Sequence, residues 1–335
     1  MRYLALLAFA LMPFGAIAQD WEDRQVFGAR DQPALRILSS TDTSFFAPII
    51  KDFIKAAPNF SVEYFVTGTA DLDRKFRASP DQFDVVISSA MDLQLKLAND
   101  GFAARLSTIE HPETAQWHDS LFAFTSEPAA IVINKRLLGD LPVPNSRQDL
   151  IELLRAYPER FHGKVGTYDV RQSGLGYLFA TQDARASETY WRLMEVMGRI
   201  DARLYCCSGQ MIDDLRAGDL AIAYNVLGSY AQARTKTSQD LLIILPSEFP
   251  TTMMRTVLAS QSAKEPLGAE LFIRHLLELQ TIADPQNFPL PPMTPTQTSE
   301  GQATISLDPA LMTYLDQMKR DAFIREWENA VVQHD

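Results

Sequence analysis

A strand, a hydroxyl-rich turn and a helix follow one another three times within the first hundred residues, and this repeat restricts the possible folds severely. Leu35–Leu38 reads as a strand, Ser39-Ser40-Thr41-Asp42-Thr43 as a turn with a helix cap, and Phe45, Phe46, Ile49, Ile50, Phe53 and Ile54 recur with helical period. Val62, Tyr64 and Val66 alternate as a second strand, then Thr67-Gly68-Thr69 opens a helix running through Phe76. Val85-Val86-Ile87 is a buried strand that ends in Ser88-Ser89 before a helix stopping at Gly101. Alternation of this kind predicts parallel strands joined by crossover helices, an α/β fold.

The second half repeats the theme. Ala129–Ile133 reads as a strand able to cross between two lobes. Asn145–Tyr157 is a helix, Lys164–Tyr168 a strand, and Gln172-Ser173-Gly174-Leu175-Gly176-Tyr177 opens a further helix. Ser187–Ile200 is amphipathic, with Trp191, Met194 and Met197 as core, and Ser208 caps a short helix ending near Gly218. An apolar strand ending in Tyr224-Asn225 then runs into a helix with Ser229 and Tyr230 in its first turns. Leu241–Leu245 and Met254–Ala259 are read as strands returning to the first lobe, and Pro266–Leu279 as a helix. The proline-rich Asp284–Thr296 is irregular, and one long helix is expected from Asp308 to about Ala330, carrying Leu311, Leu315, Met318, Phe323 and Trp327.

Arg2, the apolar run Leu4–Met12 and the small residues Ala16-Ile17-Ala18 form a secretory signal peptide, with cleavage expected near Ala18 and a periplasmic destination. The remaining ~315 residues exceed one hydrophobic core. The expected division is 1–18 signal peptide, 19–125 plus 246–335 a discontinuous first lobe, and 126–245 a second lobe. Net charge is −11 with no basic tract, which argues against nucleic acid. The only two cysteines, Cys206 and Cys207, are adjacent and cannot staple distant segments. A vicinal disulfide and packed thiols both remain open. Two sulfurs without a nearby histidine make no metal site, and no cofactor is expected.

Ligands of open α/β proteins bind where strands hand over to helices, at free helix N–H groups. The candidate ligand-binding residues are therefore Ser39, Ser40, Thr41 and Asp42, then Thr67, Gly68 and Thr69, then Ser88 and Ser89, from the first lobe. The second supplies Ser173, Gly174 and Tyr177, then Tyr224, Asn225, Ser229 and Tyr230, with Arg171 as a bidentate clamp. Hydroxyls donate to phosphate or carboxylate oxygens, and glycine admits a ligand to the backbone amides. Each hydroxyl taken alone is equally an ordinary helix cap. A hydrolase would need a nucleophile and base in reach, but no histidine falls in a strand-end turn and Gly-x-Ser-x-Gly is absent. No catalytic residues are expected.

The order of these motifs, carried by Leu35–Phe53, Phe83–Gly101, Arg171–Asp183, Gly218–Tyr230 and Asp308–Trp327, resembles the periplasmic type 2 solute-binding proteins. The most similar group is the ferric-iron-type substrate-binding components of ABC transporters. The resemblance implies two lobes joined by crossing hinge strands, closing on a ligand without chemistry and delivering it to an ABC permease as a monomer. Ferric binders of the family use two directly adjacent tyrosines, whereas here Tyr224 and Tyr230 lie apart. A small anionic solute, an organic phosphate or carboxylate, is the expected ligand, with ferric ion the alternative. A further branch resembles receptors that dock on the periplasmic domain of a two-component sensor kinase.

Overall fold

The alternation of apolar strands with amphipathic helices resolves into two sheets, each with parallel strands at its centre. The computed structural model describes residues 21–235, 240–282, 284–293 and 303–333. The signal-peptide cleavage point and residues 294–296 of the proline-rich stretch lie outside these. In the first sheet the order is Asp23–Phe27, Ser61–Val66, Ala34–Ser39, Val85–Ser88, Thr256–Ala259, Leu121–Ala123 and Gln116–Trp117. Ala34–Ser39 pairs in parallel with both Ser61–Val66 and Val85–Ser88. All six residues of Ser61–Val66 are buried, as expected of a strand covered on both faces.

The second sheet runs Ala303–Thr304, Thr251–Met253, Glu127–Asn134, Ile222–Leu227, Val165–Tyr168 and Arg203–Tyr205. Crossover helices again connect the parallel strands Val165–Tyr168, Arg203–Tyr205 and Ile222–Leu227. Strands of the described residues change sheet three times: after Leu121–Ala123, between Thr251–Met253 and Thr256–Ala259, and again between Thr256–Ala259 and Ala303–Thr304. Among the described residues no helix is long and apolar enough to cross a membrane.

Three expectations need correction. Leu241–Ile244 is not a return strand: it pairs antiparallel with the far half of Glu127–Asn134 and extends the second sheet. The return comes later, so residues beyond 246 are shared between the sheets and do not all join the first lobe. Second, the long terminal helix is two pieces. Asp308 caps a 3-10 turn over Pro309–Leu315, and Asp316 caps a new helix, Gln317–Val331, by accepting from Lys319 N–H. Helical spacing survives the break, which hid it, but Met318 is 81% exposed while Phe323 and Trp327 are buried in the second lobe's core. Third, Cys207 and not Ser208 is the cap residue of the helix Ser208–Ala217.

The strand Ile222–Leu227 also continues past Tyr224-Asn225. Its pairing with Glu127–Asn134 shifts between Ala223 and Val226, and Asn225 takes a left-handed φ of 62°. This bulge turns both side chains onto Asp183: Tyr224 Oη donates to one carboxylate oxygen at 2.7 Å and Asn225 Nδ2 to the same oxygen at 2.9 Å.

Candidate functional site

A cavity of about 440 Å³ opens between the two lobes where the strand-to-helix turns meet. From the first lobe it is lined by Ser40 and Asp42, by Thr67, Gly68 and Thr69, and by Ser89. The second lobe adds Tyr168, Ser173, Leu175, Leu227 and Tyr230. A larger hollow of about 840 Å³ on the outer side of the first lobe, around Thr108–Pro112 and Arg274–Thr281, is bordered by none of these turns.

Six helices begin at the smaller cavity, starting at Thr43, Thr69, Met91, Gly174, Ser208 and Gly228. Ser173 caps the fourth, its Oγ accepting from Gly176 N–H at 3.1 Å. The cap residues of the helices beginning at Thr43, Thr69, Met91 and Ser208 make no side-chain cap hydrogen bond, although Asp92 turns its carboxylate onto its own N–H and that of Leu93, and Glu22 accepts from Gly68 N–H. Uncapped starts offer hydrogen-bond donors and positive partial charge to an acidic group.

The lining also carries negative charge. Glu22, Asp42 and Asp213 contribute carboxylates, and no lysine or arginine is among the described lining residues. Burial, reinforced by neighbouring Asp42, pushes the Glu22 carboxyl above its usual range. Lys75 stands just behind, its Nζ donating to Thr67 Oγ1 at 3.3 Å and lying 4.3 Å over the Trp21 ring. Tyr230 Oη accepts from Asp42 N–H and donates to its carboxylate, each at 3.2 Å, and Tyr168 shares a hydrogen bond with Ser208. Burial raises both phenols well above the ordinary tyrosine range, so each remains a neutral donor near pH 7.

The lobes touch at the rim. Leu175 N–H, in the second lobe, donates to Thr69 Oγ1, in the first, at 3.2 Å. A Cβ on Gly174 would lie 2.8 Å from Leu93 Cδ1, 3.2 Å from Thr69 Oγ1 and 3.3 Å from Ala90 Cβ, all across the cleft. Glycine here permits close approach. One hydrophobic cluster includes Phe45, Leu72 and Met91 together with Leu175, Met211 and Tyr230, so apolar packing also bridges the lobes.

Several predicted residues do other work. Ser39 Oγ accepts from Thr41 N–H and Ser88 Oγ from Ala90 N–H, both buried behind the lining. Thr41 Oγ1 takes a 2.5 Å hydrogen bond from Arg255, and Ser229 donates to Glu127, which is itself paired with Arg255 at 2.9 Å. Tyr224 and Asn225 belong to the Asp183 network, where Arg147 also pairs with Asp183 at 2.7 Å. Arg171 is no clamp, because Asp169 holds it through Nε and Nη2 at 2.8 Å each and Glu328 binds Nη1. Tyr177 donates to the Tyr314 carbonyl at 2.6 Å inside the second lobe's core.

One whole wall was missed. Cys206, Cys207, Ser208, Gly209, Gln210 and Asp213 line the cavity from the turn after Arg203–Tyr205. That strand is three residues long and begins with an exposed arginine, so it lacks the apolar run that marked the other turns. The two cysteines are joined in a disulfide.

No protein-family model matches the chain, and no curated protein matches it in sequence. Solved structures do. The substrate-binding protein of an ABC transporter from Agrobacterium tumefaciens is 30% identical, with a TM-score of 0.87 over 92% of this chain and 98% of that one. The periplasmic binding protein AfuA from Actinobacillus pleuropneumoniae, with exogenous fructose 6-phosphate bound, is 14% identical over 90% of this chain and 99% of its own, with a TM-score of 0.71. Iron-bound HitA from Pseudomonas aeruginosa is 15% identical over 89% and 99%, with a TM-score of 0.64. At that level of identity the last two share the fold alone.

Proposed function

The chain belongs to the substrate-binding proteins of ABC transporters, and from that premise we propose that it captures a small polyhydroxylated solute bearing one anionic group, a sugar phosphate or its carboxylate counterpart. The observation that carries this reading is the convergence of six helix starts on one cavity, four of them with cap residues that make no side-chain cap hydrogen bond. Those starts donate to the acidic group. The carboxylates of Glu22, Asp42 and Asp213 accept from sugar hydroxyls, and the neutral phenols and Ser or Thr hydroxyls serve either role. A bare dianion would gain the helix starts but offer the carboxylates no hydroxyl to accept from. A neutral sugar would leave the helix starts unpaired.

Ferric ion fits the residues less well. Tyr224 is committed to Arg147 and Asp183 outside the cavity, and the described residues contain no group of three His, Cys, Asp or Glu placed to hold a metal. The similar structures are those of binding proteins, which supports capture without chemistry. Export with cleavage near Ala18 and hand-over of the closed form to an ABC permease complete the reading, the permease being favoured over a sensor kinase by the likeness to the A. tumefaciens protein.

Calorimetry with fructose 6-phosphate, fructose, inorganic phosphate and ferric citrate tests it. Fructose 6-phosphate should bind more tightly than either of its halves, and at 100 times its Kd should stabilise the fold by about 2.7 kcal/mol. Binding of ferric citrate alone, with the sugar phosphate inert, would overturn the assignment.

A further inference from the structure

The cavity wall missed in the sequence ends in an unusual group: two consecutive cysteines joined to each other. Both line the cavity, Cys206 exposed and Cys207 half-buried, so a dissolved thiol reaches them through the same opening as a solute. Across the cavity stand Glu22, Thr67 and Gly68 of the first lobe. Beside the cysteines on their own helix are Gly209, Gln210 and Asp213. The disulfide, with Leu175, Leu227 and the rings of Tyr168 and Tyr230, contributes to the apolar part of the lining. Cys207 is also the cap residue of the helix Ser208–Ala217, where no side-chain cap is made.

We propose that the Cys206–Cys207 disulfide is a solute-contacting wall of the site, and that its reduction weakens capture. The inference rests on the reading of this cavity as the solute site. In the oxidised form the wall is uncharged and offers its sulfurs to the apolar face of a sugar ring. A dithiol attacks one sulfur, the two-electron reduction leaves two cysteine thiols, and the reductant departs as its own disulfide, having supplied both protons. A cysteine thiol of ordinary pKa, about 8.5, is partly ionised at pH 8, its proton passing to solvent. That places a negative charge beside Asp213, where the helix start would otherwise serve the solute's acidic group. Affinity and redox state are coupled reciprocally: if reduction weakens binding tenfold, saturating solute makes the disulfide's potential more negative by about 30 mV.

The test is calorimetry with fructose 6-phosphate as probe at pH 8, on the oxidised protein and on the same protein held in dithiothreitol, with thiols counted by titration. Cys206→Ala/Cys207→Ala, which has neither disulfide nor thiolate, is the third arm. At least a tenfold loss on reduction and a smaller loss in the double variant are expected. Should the double variant fail to fold, the dithiothreitol arm decides alone. Equal affinity in the oxidised and fully reduced proteins overturns the disulfide's role and leaves the capture reading standing. Absence of binding to the oxidised protein overturns both.

Discussion

Replacing Gly174 by alanine separates closure from folding. Its backbone sits in ordinary helical territory, so the new methyl meets only what lies across the cleft. Leu93 Cδ1 at 2.8 Å is the end of a rotatable side chain and moves cheaply. Thr69 Oγ1 at 3.2 Å is held by the Leu175 N–H, and Ala90 Cβ at 3.3 Å is fixed to the backbone. Carbon atoms in contact prefer about 3.5–4.0 Å, so the first lobe must withdraw by a few tenths of an ångström or the closed packing must be strained. Overpacking of this kind costs about 1–3 kcal/mol.

Because the clash exists only when the lobes meet, the cost falls on the closed form, and affinity drops by the same free energy, about 5- to 150-fold. The open form loses nothing. Gly174 is the first residue of its helix, so the gain from replacing it is at most the ~0.5–1 kcal/mol of an interior helical glycine. Calorimetry with fructose 6-phosphate should therefore show the loss, while urea unfolding without solute shows an unchanged or higher midpoint. An unchanged Kd, or a drop in solute-free stability as large as the drop in binding, would refute the reasoning, since the lobes would then be one rigid unit. Gly176→Ala is the contrasting control. Its Cβ would fall 2.3 Å from Tyr168 Cβ within the same lobe, so the unfolding midpoint itself should fall.

Ser173→Asp keeps a cap acceptor for Gly176 N–H but adds a carboxylate to the cavity, so the fold should survive and fructose 6-phosphate affinity should fall at least tenfold by calorimetry. Arg255→Met strands Glu127 in the interior, where both side chains are fully buried, and should lower stability by about 3–5 kcal/mol in urea titrations. Asp92 is buried with one carboxylate oxygen unpaired, and burial pushes its pKa up to about 7. Its folded pKa lies above the unfolded one, so the native state binds the extra proton. Stability then falls as pH rises from about 4 to 7, by at most about 1.4 kcal/mol per pH unit. Asp92→Asn should flatten that slope in urea titrations between pH 5 and 8.

The turns were legible because their chemistry is local: an apolar strand, a short hydroxyl run and a helical period all sit within about twenty residues. Which hydroxyl faces the cavity was legible in principle too. Side chains of extended backbone alternate, and in the first turn Ser40 and Asp42 line the cavity while Ser39 and Thr41 point into the protein. Ser88 and Ser89 divide the same way. The second-lobe errors have another origin. Tyr224, Asn225 and Ser229 are claimed by Asp183 and Glu127, which lie 41, 42 and 102 residues away in sequence and carry no local mark of the partnership. Arg171 was misread for the opposite reason, since its partner Asp169 is only two residues away and was overlooked.

These misassigned residues explain how a hinge and a binding site coexist. Two buried charge networks hold the crossing segments. Arg147 and Asp183 gather Tyr224, Asn225 and Thr251, and Glu127 with Arg255 gathers Thr125, Ser229 and Thr41. Thr251 and Arg255 flank the return crossing, and Thr125 and Glu127 flank the outward one. Buried pairs add little net stability over apolar packing of the same shape, but they accept one geometry and penalise others. The contacts at the cavity rim are of a different kind: a hydrogen bond at 3.2 Å from Leu175 N–H to Thr69, a reciprocal pair between Tyr230 and Asp42, the Tyr230 ring 4.7 Å from that of Phe45, and Gly174 against Leu93, Thr69 and Ala90. Each is worth about 1 kcal/mol. Rigid crossings confine lobe movement to these contacts, and a solute bridging both lobes favours closure by its differential affinity for the closed form.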